Sequence, residues 1–266
     1  MTYVAAIIVP EGIVALADTR ITVGNEKLYN EKYWNCDDSS KGHYFALFSG
    51  NRSWTEEVIQ FLDREVDWSR AGTVAELSSE VGKYFWRLRD TYRNTLSAGV
   101  DFDIGLIIGG RGRNDIRQDL RFVYQAGNHV TYSDFTPYFA SGQSMYGKFI
   151  LEDGVFYRSF QTGEVNDVQG TPTSLQEAIG AVLLSFHATQ TSVTTVDYPV
   201  HLLAYPATTG RIHRFFLRSS DLREFRDHWR RSLIEFLHTA SLPDEVRELM
   251  ADAEKLRNDH SHLTKA

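Results

Sequence analysis

MTYVAAIIVPEGIVALADTR, residues 1–20, holds two apolar runs separated by Pro10-Glu11-Gly12. The first run is rich in β-branched residues and ends at a turn signal, and IVALAD resumes directly after it, so the stretch predicts a β-hairpin. Its ends carry the chemistry. Thr2 stands directly behind the initiator methionine, and Asp18 closes the second run sixteen residues later. A hairpin returns its second strand toward the start of its first, so Asp18 comes back toward Thr2.

Threonine is small enough for Met1 to be removed, and Thr2 then carries a hydroxyl and a free α-amine. The hydroxyl alone is a weak nucleophile; a base within hydrogen-bond reach activates it, and the α-amine is such a base. Its ordinary pKa of about 7.7–8 leaves a useful neutral fraction near pH 7. A lysine ammonium nearby lowers that pKa further, and an aspartate holds the lysine. Lys27 and Lys32 both follow on the next predicted hairpin, over residues 20–36. An oxyanion needs a fixed donor, and the backbone N–H of Gly50, at the end of the strand HYFALFSG, is suitable. The plainer reading is a core strand that happens to start at residue 2.

Beyond Gly50 the period changes. Ser53-Trp54-Thr55-Glu56 and Thr73-Val74-Ala75-Glu76 have capping-box spacing, each followed by apolar residues at helical intervals. Leu77, Val81, Tyr84, Phe85 and Leu88 mark one face of the second helix, and Tyr84 and Trp86 are expected in the core. Strands return with VDFDIGLIIGG, LRFVYQAG and TPYFAS. A short helix is expected over 143–152, and a longer one opens at Thr173-Ser174. VDYPVHLLAYPA and RIHRFFLR are strands again. Helices are expected over 221–238 and 243–258, split by Leu242-Pro243, with a disordered tail over 259–266. Strand runs alternating with helix pairs predict helix layers on stacked antiparallel sheets.

The bulk numbers narrow the function. The 266 residues are enough to bury a proper core. A net charge of -7 argues against a nucleic-acid partner. Apolar content of 42% without a run of about 18 apolar residues predicts no membrane span. The first run lacks a basic flank and is interrupted by Glu11 and Asp18, so it is not a signal peptide. Cys36 is the sole cysteine, read as a packed thiol, and the chain is expected in the cytoplasm. Gly109-Gly110-Arg111-Gly112-Arg113 is followed by a strand, so it reads as a hairpin turn and not a phosphate loop.

The opening MTY, ADTR at 17–20 and LFSGN at 47–51 resemble proteasome β-type subunits, and within that group the bacterial Anbu, or ancestral β-subunit, family. DFDIGLIIGGR with VYQAGNHV, SGQSMYGKFILED and LLSFHATQTSVTTVDYPVHLLAY carry the likeness further, over roughly residues 1–245. It implies a four-layer αββα sandwich of two antiparallel sheets, an α+β fold of the N-terminal-nucleophile hydrolases. That domain is expected over 1–220, with a C-terminal helical extension over 221–258. The resemblance also implies a cytoplasmic threonine-type peptidase or amidohydrolase that needs no cofactor and no metal. Thr2 matches the nucleophile, Asp18 the motif aspartate, Lys32 the catalytic lysine (Lys27 staying open), Gly50 the oxyanion glycine and Ser192 the motif serine. A peptide or small amide is the implied substrate, and a homo-oligomeric ring or open helical ring the implied assembly. At 187–193 the chain departs from the family pattern: His187, Ala188 and Val193 replace its Asp, Ser and Asn. A catalytically silent assembly subunit with the same fold is therefore the alternative.

Overall fold

In the computed structural model, residues 2–23, 26–97, 99, 101–134, 136–155 and 174–239 are described. Along the chain run β1 (Tyr3–Val9), β2 (Gly12–Asp18), β3 (Arg20–Val23), β4 (Glu26–Tyr29), β5 (Tyr33–Asp38) and β6 (Gly42–Gly50). Helices α1 (Arg52–Arg64), α2 (Val74–Thr91) and α3 (Arg93–Ser97) follow. Then come β7 (Ile104–Gly112), β8 (Asp119–Val123), β9 (His129–Thr131), β10 (Tyr138–Gly142), α4 (Met145–Phe149) and a π-helical turn at Ile150–Val155. Helix α5 (Leu175–Ser192), β11 (Val200–Pro206) and β12 (His213–Leu217) complete this unit. Helix α6 (Arg223–Thr239) lies in a separate unit that begins at Ser220.

The strands form two five-stranded antiparallel sheets, ordered β10-β1-β2-β11-β12 and β5-β6-β7-β8-β9, and a small β3-β4 ribbon. The predicted first hairpin is present, with Val4 opposite Ala17 and Val9 opposite Gly12. Every residue of β1 and β2 is buried, because both faces of the hairpin are covered. Val4, Ala6 and Ile8 on one face pack with Phe45, Leu47 and Ile107 of the second sheet. The other face carries α5. On the far side of the second sheet, α1 and α2 bury Trp54, Phe61, Leu77, Val81 and Phe85 against β6 and β7. The result is a two-sheet sandwich with a helix layer on each outer face, the expected αββα order.

Phe61 and Tyr84 stack with centroids 4.3 Å apart, and Phe85 is fully buried. Truncating such a ring to alanine costs about 3–5 kcal/mol.

Three local expectations are corrected. Helix α1 is capped by Asn51, whose side chain accepts from the Ser53 N–H at 2.9 Å, so Ser53 lies inside the helix. Asparagine and serine are equally good caps, and spacing to Glu56 does not choose between them. Trp86 is 66% exposed where Tyr84 is buried. Two residues along a helix turn the side chain by about 200°, so both cannot share one face. The Trp86 indole N–H donates instead to the Ala126 carbonyl. Residues 20–36 do not form one hairpin: β3 and β4 pair, while β5 joins the second sheet, with Trp34 in the helix-side core and Tyr33 in the core between sheets. The capping box at Thr73 is present as expected, and α5 has one at Ser174 with Glu177. Gly24, the expected 243–258 helix and the 259–266 tail lie outside the described residues.

Candidate active site

Thr2 directly precedes β1 at one end of the sandwich and is buried. Strand alternation puts its side chain on the face of Val4, between the sheets, while Tyr3 turns to the opposite face. There the Tyr3 hydroxyl shares a short hydrogen bond with Ser185 Oγ of α5, and Ser185 donates to the Gly147 carbonyl at 2.7 Å. Burial pushes the Tyr3 phenol well above its ordinary pKa, so it stays a neutral anchor.

The backbone of Thr2 is fixed from the side of β10. The Gln143 N–H donates to the Thr2 carbonyl at 2.6 Å. Gly142, at φ +81°, makes this approach possible: a Cβ there would lie 2.0 Å from the Thr2 oxygen.

Asp18 and Lys32 meet at this end, both buried. Asp18 Oδ1 accepts from the Tyr3 N–H at 2.8 Å and from Lys32 Nζ at 2.8 Å. Lys32 Nζ donates as well to the Arg20 carbonyl. Burial raises the Asp18 pKa and lowers that of Lys32, and in each case the partner's charge pulls the other way. Asp18 Oδ2 has no hydrogen-bond partner among the described residues. The other motif residues are also engaged. Thr19 donates its hydroxyl to the Pro199 carbonyl at 2.7 Å, and Arg20 pairs with Asp197 at 3.4 Å. Lys27 lies on β4 opposite Thr22, and its side chain is outside the described set.

Gly50 is the last residue of β6, at φ +100°, and the Phe48 N–H donates to the Lys32 carbonyl at 2.9 Å. One hydrogen bond thus ties the strand that ends in Gly50 to the residue that carries the ammonium. Next to Gly50, Ser49 Oγ lies 2.7 Å from Ser141 Oγ, a hydroxyl pair that joins the two sheets. Gly105 leaves room for it, since a Cβ there would be 2.8 Å from both oxygens. Ser141 pairs with Val4 in register, two residues from Thr2. Sequence reading did not assign this pair, although both serines stand beside glycines in quoted motifs, Ser49-Gly50 and Ser141-Gly142.

Ser192 is the last residue of α5, exposed, and about 10 Å beyond Ser185 along the helix. No hydrogen bond joins it to Thr2, Asp18 or Lys32 among the described residues. Hydrogen bonds therefore connect the backbone next to Thr2, Asp18, Lys32 and the strand that ends in Gly50, and none of these bonds reaches Ser192.

A serine–histidine pair elsewhere is chemically inert. Ser79 Oγ lies 3.0 Å from His129 Nε2, and Arg121 contacts His129 Nδ1 at 3.1 Å. Guanidinium only donates, so Nδ1 accepts and Nε2 carries the proton. His129 then donates to Ser79 and is no base for it. Among the described residues there is no group of three metal-ligating side chains, and no helix is long and apolar enough to cross a membrane.

No family model and no curated protein matches the sequence. Solved structures do. An Anbu (Gly-1) mutant from Hyphomicrobium sp. strain MC1 aligns with 25% identity and a TM-score of 0.77, over 92% of this chain and 100% of that one. Anbu from Pseudomonas aeruginosa, solved as a helical assembly, aligns with 22% identity and a TM-score of 0.77, over 92% and 99%. Anbu from Yersinia bercovieri aligns with 20% identity and a TM-score of 0.76, over 91% and 99%. The resemblance carried by MTY, ADTR and LFSGN is met in three dimensions: the chain has the proteasome-like fold of the Anbu proteins across nine-tenths of its length.

Proposed function

We propose that the protein is an N-terminal threonine amide or peptide hydrolase of the proteasome-like Anbu type. The observation that carries this reading is the shared Asp18 oxygen: it accepts from Lys32 Nζ and from the backbone N–H of the residue next to Thr2. A buried ion pair attached to the first strand residue has a clear use if Thr2 is the nucleophile.

With Met1 removed, Thr2 Oγ attacks the substrate carbonyl. Its own α-amine takes the hydroxyl proton, directly or through a water, and later gives it to the leaving amine. The Lys32 ammonium lowers the amine's pKa and Asp18 orients Lys32. The Gly50 N–H receives the oxyanion. Water then hydrolyses the acyl-enzyme and frees Thr2. No cofactor or metal enters these steps.

Self-association belongs to the same proposal, as a ring or open helical ring, in line with the helical assembly of the Pseudomonas aeruginosa relative. A second reading, a silent assembly subunit, is favoured by the exposed position of Ser192 at the end of α5. Thr2→Ala separates the two. The enzyme reading expects turnover of a peptide amide to fall by about three orders of magnitude or more, with assembly unchanged. Wild-type and variant protein equally inactive toward a broad panel of amides favours the assembly subunit.

A further inference from the structure

At the end of the sandwich remote from Thr2, loops from both sheets converge. Strand β1 spans the distance, about 20 Å for its length. The β1–β2, β7–β8, β9–β10 and β11–β12 connections line an open recess of about 550 Å³. That lies within the roughly 300–1,000 Å³ of small-ligand sites.

The cavity has three kinds of wall. Ile8, at the end of β1, and Pro137 give an apolar floor. Tyr132 and Tyr205 supply aromatic surface. Arg111 and Arg117 supply two cations, and Asp134 is the one lining carboxylate among the described residues. In a chain of net charge -7, an excess of cation in a recess runs against the general balance.

The walls are fixed in place. The Gln118 side-chain amide donates to the Val9 carbonyl at 2.7 Å, which holds the β7–β8 loop to the end of β1. Arg111 Nε donates to the Asp115 carbonyl at 3.2 Å, orienting the guanidinium and leaving its terminal nitrogens for another acceptor. Its charge reaches the Tyr205 hydroxyl, where it works against the burial that raises that group's pKa. Neither arginine forms an ion pair among the described residues.

We propose that this cavity binds a small organic anion, a carboxylate on an apolar or aromatic body. Arg111 and Arg117 take the carboxylate, since guanidinium forks match its geometry. Tyr132, Ile8 and Pro137 take the body. The site is separate from the Thr2 chemistry and does not depend on it.

The test uses the full-length Thr2→Ala protein, so that no turnover complicates the readout, and N-acetylphenylalanine as probe, followed by calorimetry. The expected result is saturable binding that weakens about tenfold or more in Arg111→Gln/Arg117→Gln and severalfold in Tyr132→Ala. N-acetylphenylalaninamide, which lacks the charge, binds at least about tenfold more weakly, and inorganic phosphate competes poorly because it lacks the body. Both arginines are exposed, so the double variant keeps its fold. Absence of binding at millimolar probe overturns the proposal. So does equal binding of the amide, equal competition by phosphate, or binding indifferent to the two arginines.

Discussion

The backbone N–H of Tyr3 donates to Asp18 at 2.8 Å, on the same carboxylate oxygen that accepts from Lys32. The geometry of the first strand and the placement of the ammonium are therefore set by one atom. Hairpin register makes this possible, because Val4 opposite Ala17 leaves the next pair outward, Tyr3 and Asp18, at the open end.

Replacing Asp18 by asparagine keeps the shape and removes the charge. Lys32 is then buried beside a neutral amide, and breaking a buried pair in this way costs about 3–5 kcal/mol. Urea unfolding of Asp18→Asn should show a loss of that size. A loss below about 1 kcal/mol would mean that the pair is solvated and contributes little.

The two pKa shifts give a signed pH dependence. Burial raises Asp18, so the native state keeps that proton longer than the unfolded chain, and this contribution to stability falls as pH rises from about 3.9 through the raised value. Burial lowers Lys32, so its contribution is complete above the unfolded pKa of about 10.4 and is lost as pH falls through the lowered value. The unfolding free energy of the wild type minus that of Asp18→Asn/Lys32→Met should thus fall on leaving acid and rise again toward alkali. A difference that is flat with pH would contradict both shifts.

Gly142→Ala tests the clamp on Thr2. The new Cβ meets the Thr2 carbonyl at 2.0 Å, and the φ of +81° is unfavourable for alanine. Displacement of the Thr2 backbone should lower amide hydrolysis by more than about tenfold, together with a stability loss of about 1–3 kcal/mol. Unchanged hydrolysis would show that Thr2 need not be held there.

Helix caps test the corrected start of α1. Asn51→Ala should cost about 1 kcal/mol, as should Ser174→Ala at α5, while Ser53→Ala stays within about 0.5 kcal/mol. The reverse order at Asn51 and Ser53 would restore the capping box at Ser53.

Much of this architecture is legible in short-range pattern. The turn at Pro10-Glu11-Gly12, the long face Leu77-Val81-Phe85-Leu88 and the β-branched runs mark elements whose burial follows one period. What escaped depends on neighbours distant in sequence. Tyr33–Asp38 belongs to the second sheet because its alternating side chains suit two cores at once. The three-residue strand His129–Thr131 is too short to carry a period. The first hairpin brings Asp18 back toward Thr2 because a hairpin brings its ends together, whereas the choice of Lys32 over Lys27 rests on the family resemblance alone. The Ser49–Ser141 contact, across 92 positions, joins two sheets whose stacking no local motif announces. Ser192 came from a motif match alone and is exposed at the end of α5, while Ser141 lies opposite Val4 in register.

In the proposed reaction Thr2 acts with its own α-amine. Intact mass before and after incubation with a peptide epoxyketone tests it most directly, because that warhead closes its ring product only with a free N-terminal amine and the adjacent hydroxyl together. The expected result is a chain lighter by one methionine that gains a single stoichiometric adduct, with no adduct on Thr2→Ala. A chain that retains Met1 and gains no adduct would contradict it.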